Sequence, residues 1–100
     1  MRDVTLVELK ELIASTPNVM VDFWAPWCGP CKAIAPTVAK LATEAKNCTV
    51  VKCNLDDDSA ASATFDITAV PTFIRFTNGV ETARVQGTGG GVSSLRKLLE

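Results

Sequence analysis

The chain has 100 residues, read as one domain spanning residues 1–100. A domain of that size buries about 60 to 70% of the surface its unfolded form exposes, so a core forms without structural disulfides. Its hydrophobic content of 47% is that of a globular protein, and a net charge of −1 gives no electrostatic basis for binding nucleic acid. Met1 to Glu11 has no signal-peptide core, no apolar run nears the roughly 20 residues that span a membrane, and Lys97 to Glu100 is no retention signal for the endoplasmic reticulum. The expectation is a cytoplasmic monomer without nucleic-acid or membrane partners. Four cysteines in a reducing compartment point to redox or metal chemistry rather than to a staple framework.

Thr5 and Glu8 form a capping box, and Leu6, Leu9, Leu12 and Ile13 line one face of the helix that follows, until Thr16 and Pro17 stop it. Val19 to Ala25 is nearly all apolar, the pattern of a strand covered on both faces, and it leads straight into Trp27-Cys28-Gly29-Pro30-Cys31. Lys32 to Lys46 reads as a second helix with Ile34, Val38, Leu41, Ala42 and Ala45 inward and a kink expected near Pro36, which cannot bond the Lys32 carbonyl. Thr49 to Leu55 is a second buried strand, so strand, helix and strand make a parallel crossover. Asp56, Asp57 and Asp58 read as a solvated turn, and Ser59 as the cap of a short helix through Phe65. Thr72–Thr77 and Val80–Gln86 flank Asn78-Gly79, which predicts an antiparallel hairpin with a type I′ turn. After Gly87, Gly89, Gly90 and Gly91, a last helix presents Val92, Leu95, Leu98 and Leu99. Helices interleaved with strands and ending in a hairpin describe an α/β fold, a central mixed sheet of four to five strands flanked by helices on both faces.

Cys28 and Cys31 sit where the second helix begins, at the spacing of neighbours on a helical turn, so they can close a reversible disulfide. Unpaired N–H groups and the macrodipole at a helix N-terminus favour a thiolate by about 0.3 to 2 kcal/mol, enough to draw a thiol from about 8.5 toward 7 without a histidine. The sequence contains no histidine. Pro30 suits an opening helical position, where its missing N–H has no partner to lose. The four cysteines are separated by two, sixteen and four residues, close to some zinc patterns. The β-prone run Thr49-Val50-Val51-Lys52, however, would hold Cys48 and Cys53 about 16 Å apart, where a zinc knuckle needs a tight turn. They are read as packing residues or an accessory thiol.

The chain resembles the thioredoxin family, and the resemblance runs nearly end to end. It rests on Val21-Asp22-Phe23-Trp24-Ala25 before Trp27 to Cys31, Lys32 and Pro36 in the helix, Lys52 and Asp56 around the next strand, Val70-Pro71-Thr72, Phe76 with Asn78-Gly79, and Gly87. It departs from the family pattern at its start, where only four residues precede Thr5 and an N-terminal edge strand would be short or absent. It also departs at Ala69, where a glycine is common, and at Gln86, where the family has an apolar residue; both touch the implied substrate surface.

The resemblance implies a thiol–disulfide oxidoreductase that reduces protein disulfides through the Cys28-Gly29-Pro30-Cys31 dithiol, binds no cofactor, and is recharged from NADPH by a separate thioredoxin reductase. Cys28 is read as the nucleophile, since it lies nearer the exposed end of the helical turn, and Cys31 as the resolving cysteine. Asp22 is the one acid in an apolar strand; desolvation should raise its pKa toward neutrality, and the resemblance implies that it takes the Cys31 proton. The resemblance likewise makes Lys52 a charge neighbour that tunes the site. It makes Pro71 a cis proline facing the cysteines, with the Val70 backbone free for an extended substrate, where base rates alone favour trans. Trp27 offers an apolar rim and Gly87 a close approach for substrate. Two rivals are a disulfide isomerase, against which Pro30 in place of a histidine argues, and a redox-inert adaptor that keeps the fold only for binding.

Overall fold

A computed structural model describes residues 1–100. A two-residue strand, β1 (Arg2–Asp3), precedes the Thr5 cap, so the edge strand is short and not absent. The capping box forms as its residues dictate. Thr5 Oγ1 accepts the Glu8 N–H at 3.2 Å and Glu8 Oε1 accepts the Thr5 N–H at 3.0 Å, opening α1 (Leu6–Ser15). Asp58 adds to this cap from a distance, its Oδ2 accepting the Leu6 N–H at 3.0 Å. The acidic turn is thus partly structural rather than only solvated.

β2 (Asn18–Trp24) runs up the centre of the molecule, and α2 (Gly29–Glu44) continues in one span through Pro36. β3 (Thr49–Asn54) returns parallel to β2, with Asp22 beside Lys52. A short α3 (Ala60–Thr64) follows; Ser59 holds its cap position in a helical conformation and makes no side-chain cap bond. β4 (Thr72–Thr77) and β5 (Val80–Gln86) form the hairpin, in which Asn78 (φ +52°) and Gly79 (φ +84°) both take the left-handed conformation a type I′ turn requires. α4 (Gly91–Leu99) closes the chain on Leu95 and Leu98, while Val92 stays exposed.

The sheet order is β1-β3-β2-β4-β5, mixed because β4 pairs antiparallel to β2. Alternation along β2 divides two cores. Val19, Val21 and Phe23 face α1 and α3 with Val51, Cys53, Ile74, Leu9 and Ala61. Met20 faces α2 and α4, packing with Phe73, Val38, Leu41, Leu95 and Leu98. Asp22 and Trp24 share the Met20 face, and this places an acid under α2.

Candidate active site

The turn after β2 delivers Cys28 in an extended conformation (φ −87°, ψ 107°) as the N-cap residue of α2, one step before the helix rather than within its first turn. Its Sγ accepts the Cys31 N–H at 3.1 Å, so sulfur does the work that a Ser or Asp oxygen does at other helix starts. Gly29 and Pro30 occupy the first two helical positions and are exposed. The Cys28 and Cys31 Cα atoms lie 5.3 Å apart and the two sulfurs are joined as a disulfide. The expected difference in exposure is not there. Both cysteines are 4% exposed, because Ala25, Trp24 and Val70 pack around the pair as a unit. What distinguishes them is place: Cys28 is outside the helix facing its free N–H groups, and Cys31 is inside it.

Asp22 lies on its strand between Met20, which packs on Val38 and Leu41, and Trp24, which packs on the disulfide. That position puts it beneath the first turns of α2. It is 4% exposed, and its Oδ1 has no hydrogen-bond partner in the chain. Burial pushes the carboxyl up from 3.8 to about 7, against the nearby Lys52 ammonium and helped by the Asp3 carboxylate. Lys52 is beside it in the β2–β3 register, yet its ammonium is 3.5 Å from Asp3 Oδ2 and 4.6 Å from the centre of the Trp24 ring. Asp3 Oδ1 also accepts the Trp24 indole N–H at 2.8 Å. Sequence reasoning missed Asp3. Its only signal is a lone acid in a two-residue strand, and its partners come from parallel registers that no local pattern encodes.

Trp27 is 70% exposed, so it is no core aromatic, and its indole N–H donates to Asp56 Oδ1 at 3.0 Å. An open groove of about 530 Å³ runs between Trp27, Leu55 and the segment Ile67 to Val70. The Val70–Pro71 bond is cis, and Pro71 is fully buried. The Val70 N–H and carbonyl bond no other group of the chain. Gly87 donates its N–H to the Pro71 carbonyl at 2.7 Å with φ +72°. A side chain there would meet nothing within 4 Å, so backbone conformation and not crowding calls for glycine. Cys28, Cys31, Trp24 and Val70 meet in one cluster, with Trp27 beside Val70 along the groove and Gly87 tied on through Pro71.

Cys48 and Cys53 belong to the two different cores, on opposite faces of the sheet, and cannot ligate one ion together. Burial raises both thiols, Cys53 to about 11, which keeps them protonated and unreactive. No group of three or more His, Cys, Asp or Glu side chains is gathered as a metal site.

The thioredoxin family model matches residues 2–100. Among named relatives, thioredoxin of Mycoplasma genitalium is 45% identical over 83 residues, 83% of this chain and 81% of that one. The bifunctional thioredoxin reductase/thioredoxin of Mycobacterium leprae is 38% identical over 88% of this chain and 19% of its own length. The solved structure of Plasmodium falciparum thioredoxin superposes with a TM-score of 0.92 at 31% identity, covering 99% of this chain and 96% of that one. With a disulfide across the start of α2, a mixed five-stranded sheet and this likeness over the whole length, the chain belongs to the thioredoxin family of thiol–disulfide oxidoreductases, which act on disulfide substrates.

Proposed function

We propose that residues 1–100 act as one domain and one monomer that reduces protein disulfides, with Cys28 as nucleophile and Cys31 as resolving cysteine. The Cys28 thiolate attacks one sulfur of the target disulfide and releases the other as a thiolate. Cys31 then gives its proton to Asp22 and attacks Cys28 Sγ, which frees the second target sulfur and leaves Cys28–Cys31 oxidised by two electrons. The observation that carries this reading is the cap: Cys28 Sγ accepts the Cys31 N–H at the positive end of α2, where negative charge on sulfur is favoured. Gly29 and Pro30 keep that end open, and Lys52 sets the charge beside Asp22.

Trp27, Val70, Pro71 and Gly87 form the substrate face. The unengaged Val70 backbone fits pairing with an extended chain, and the Trp27 groove fits an apolar side chain next to the target cysteine. Electrons come from NADPH through a separate thioredoxin reductase, and no cofactor is bound; the fused reductase of the Mycobacterium leprae relative supports that partner. Two buried cysteines left unpaired fit a reducing cytoplasm, and a net charge of −1 fits the absence of a nucleic-acid partner. Every side chain of the site comes from one chain, so a monomer suffices. Reduction of insulin with dithiothreitol as electron source tests the reading: the protein should accelerate precipitation of the freed chain. Binding without acceleration would make it a redox-inert adaptor.

A further inference from the structure

One row of the sheet register runs Asp3, Lys52, Asp22, Phe73 and Val85 across β1, β3, β2, β4 and β5, charged at one end and apolar at the other. A single ammonium therefore stands between two carboxylates on neighbouring strands. It is engaged by only one of them. Asp3 is the sole acid within 4.0 Å of Lys52 Nζ, and the same carboxylate takes the indole N–H of Trp24, whose ring lies under that ammonium. The choice has a physical cause. The Asp3 and Lys52 side chains are 45% and 29% exposed, so both keep water when they pair, whereas pairing with Asp22, itself 4% exposed, would take the ammonium out of water.

We propose that Asp3 is a positioning residue of the reaction: by holding Lys52 and Trp24 on the β1 side, it keeps Lys52 from pairing with Asp22 and leaves Asp22 basic enough to take the Cys31 proton. The inference rests on the role given to Asp22 above. In the step concerned, the Cys31 S–H bond breaks, the proton passes to the Asp22 carboxylate, and the sulfur attacks the Cys28 mixed disulfide and displaces the target thiolate. The groups that face Asp22 are few. β3 presents Lys52, β1 presents Asp3, and β4 presents the uncharged Phe73 and, two residues on along the same face, Arg75, whose guanidinium is taken up by the Leu98 carbonyl and Asn18 Oδ1. On α2, Lys32, Lys40 and Glu44 are exposed. On α4, Lys97 is exposed and Arg96, also exposed, pairs with Glu44 at 3.8 Å.

The test is a carbon-13 carboxyl titration of Asp22 in the oxidised protein, where neither active-site cysteine titrates, paired with the pH profile of mixed-disulfide resolution in single-turnover stopped flow. Asp3→Asn removes the charge but keeps an oxygen for the Trp24 indole. It both deletes a repelling carboxylate and frees Lys52 for Asp22, so the Asp22 inflection should fall by about one pH unit and the resolution profile should follow it. Asp3→Glu, which restores the charge, should bring both back toward the wild type. In an Asp22→Asn background, which has no carboxyl inflection at that position, Asp3→Asn should leave the resolution profile where it is. An Asp22 inflection that stays in place or rises in Asp3→Asn overturns the inference. An inflection that falls while the resolution profile does not follow keeps the electrostatic hold of Asp3 on Asp22 but removes Asp22 as the proton acceptor, and with it the part of Asp3 in the reaction. The two failures are thus distinct.

Discussion

Asp22 concentrates the energetics of the site in one residue. An acid whose folded pKa is raised is stabilised by folding only in its neutral form, so the contribution is fully present below the ordinary value of 3.8 and is lost as pH rises to about 7, levelling off above that. Full ionisation costs on the order of 4 kcal/mol of stability. Asp22→Asn, which stays neutral throughout, should match wild type near pH 3.8 and become progressively more stable than it up to pH 7, as read from denaturant melts. A gap that stays constant across that range contradicts the buried acid. Slower resolution in the same variant, with first attack spared, is the catalytic counterpart. Burial acts on Cys48 and Cys53 in the same direction, but each stays protonated in its own core, apart from the Cys28–Cys31 cluster, so serine at both positions should leave insulin reduction near the wild-type rate. Loss of turnover in that variant, with the fold intact by circular dichroism, would give them a role the structure does not suggest.

At the scale of elements, two side chains hold segments in place for the site. The capping box of α1 orders the helix that covers Phe23 and Cys53 from behind; Thr5→Ala should lower stability by about 1 kcal/mol in denaturant melts. Arg84 on β5 donates to the Phe65 carbonyl at 2.8 Å and the Asp66 carbonyl at 3.0 Å while paired with Glu81, and so pins the chain just before the Ile67–Val70 wall of the groove. Asp66 itself sits at φ +54°, a conformation that such an anchor helps to keep. Arg84→Ala should cost about 1 to 2 kcal/mol and raise hydrogen exchange at the Ile67 amide, which bonds the Ser62 carbonyl at 2.8 Å. Unchanged exchange there would mean that the wall holds itself.

Across the whole molecule, what was legible in the sequence was what local physics encodes. Thr5 with Glu8 marked a helix start, the apolar run before Trp24 marked a strand covered on both faces, and Asn78-Gly79 marked the hairpin, because each depends on neighbours along the chain. The cysteine pair and Asp22 were legible for the same reason, one by spacing and one as an acid out of pattern. The long-range bonds were not. Asp3 to Lys52 and Trp24, Asp58 to Leu6, and Arg84 to Phe65 and Asp66 all depend on which strands and loops become neighbours in space. Nor was the equal burial of Cys28 and Cys31, which follows from Trp24 and Val70 closing over both sulfurs.

The proposed reaction divides the labour between two sulfurs that are equally buried but differently placed, one capping α2 and one within it. Trapping reads it directly. Cys31→Ser and Cys28→Ser are each mixed with a protein disulfide, and the intact mass of each is followed with time. Cys31→Ser should accumulate a mixed disulfide through Cys28 because nothing resolves it, whereas Cys28→Ser should gain no adduct and reduce nothing. Equal trapping by the two variants, or trapping through Cys31 alone, would contradict it.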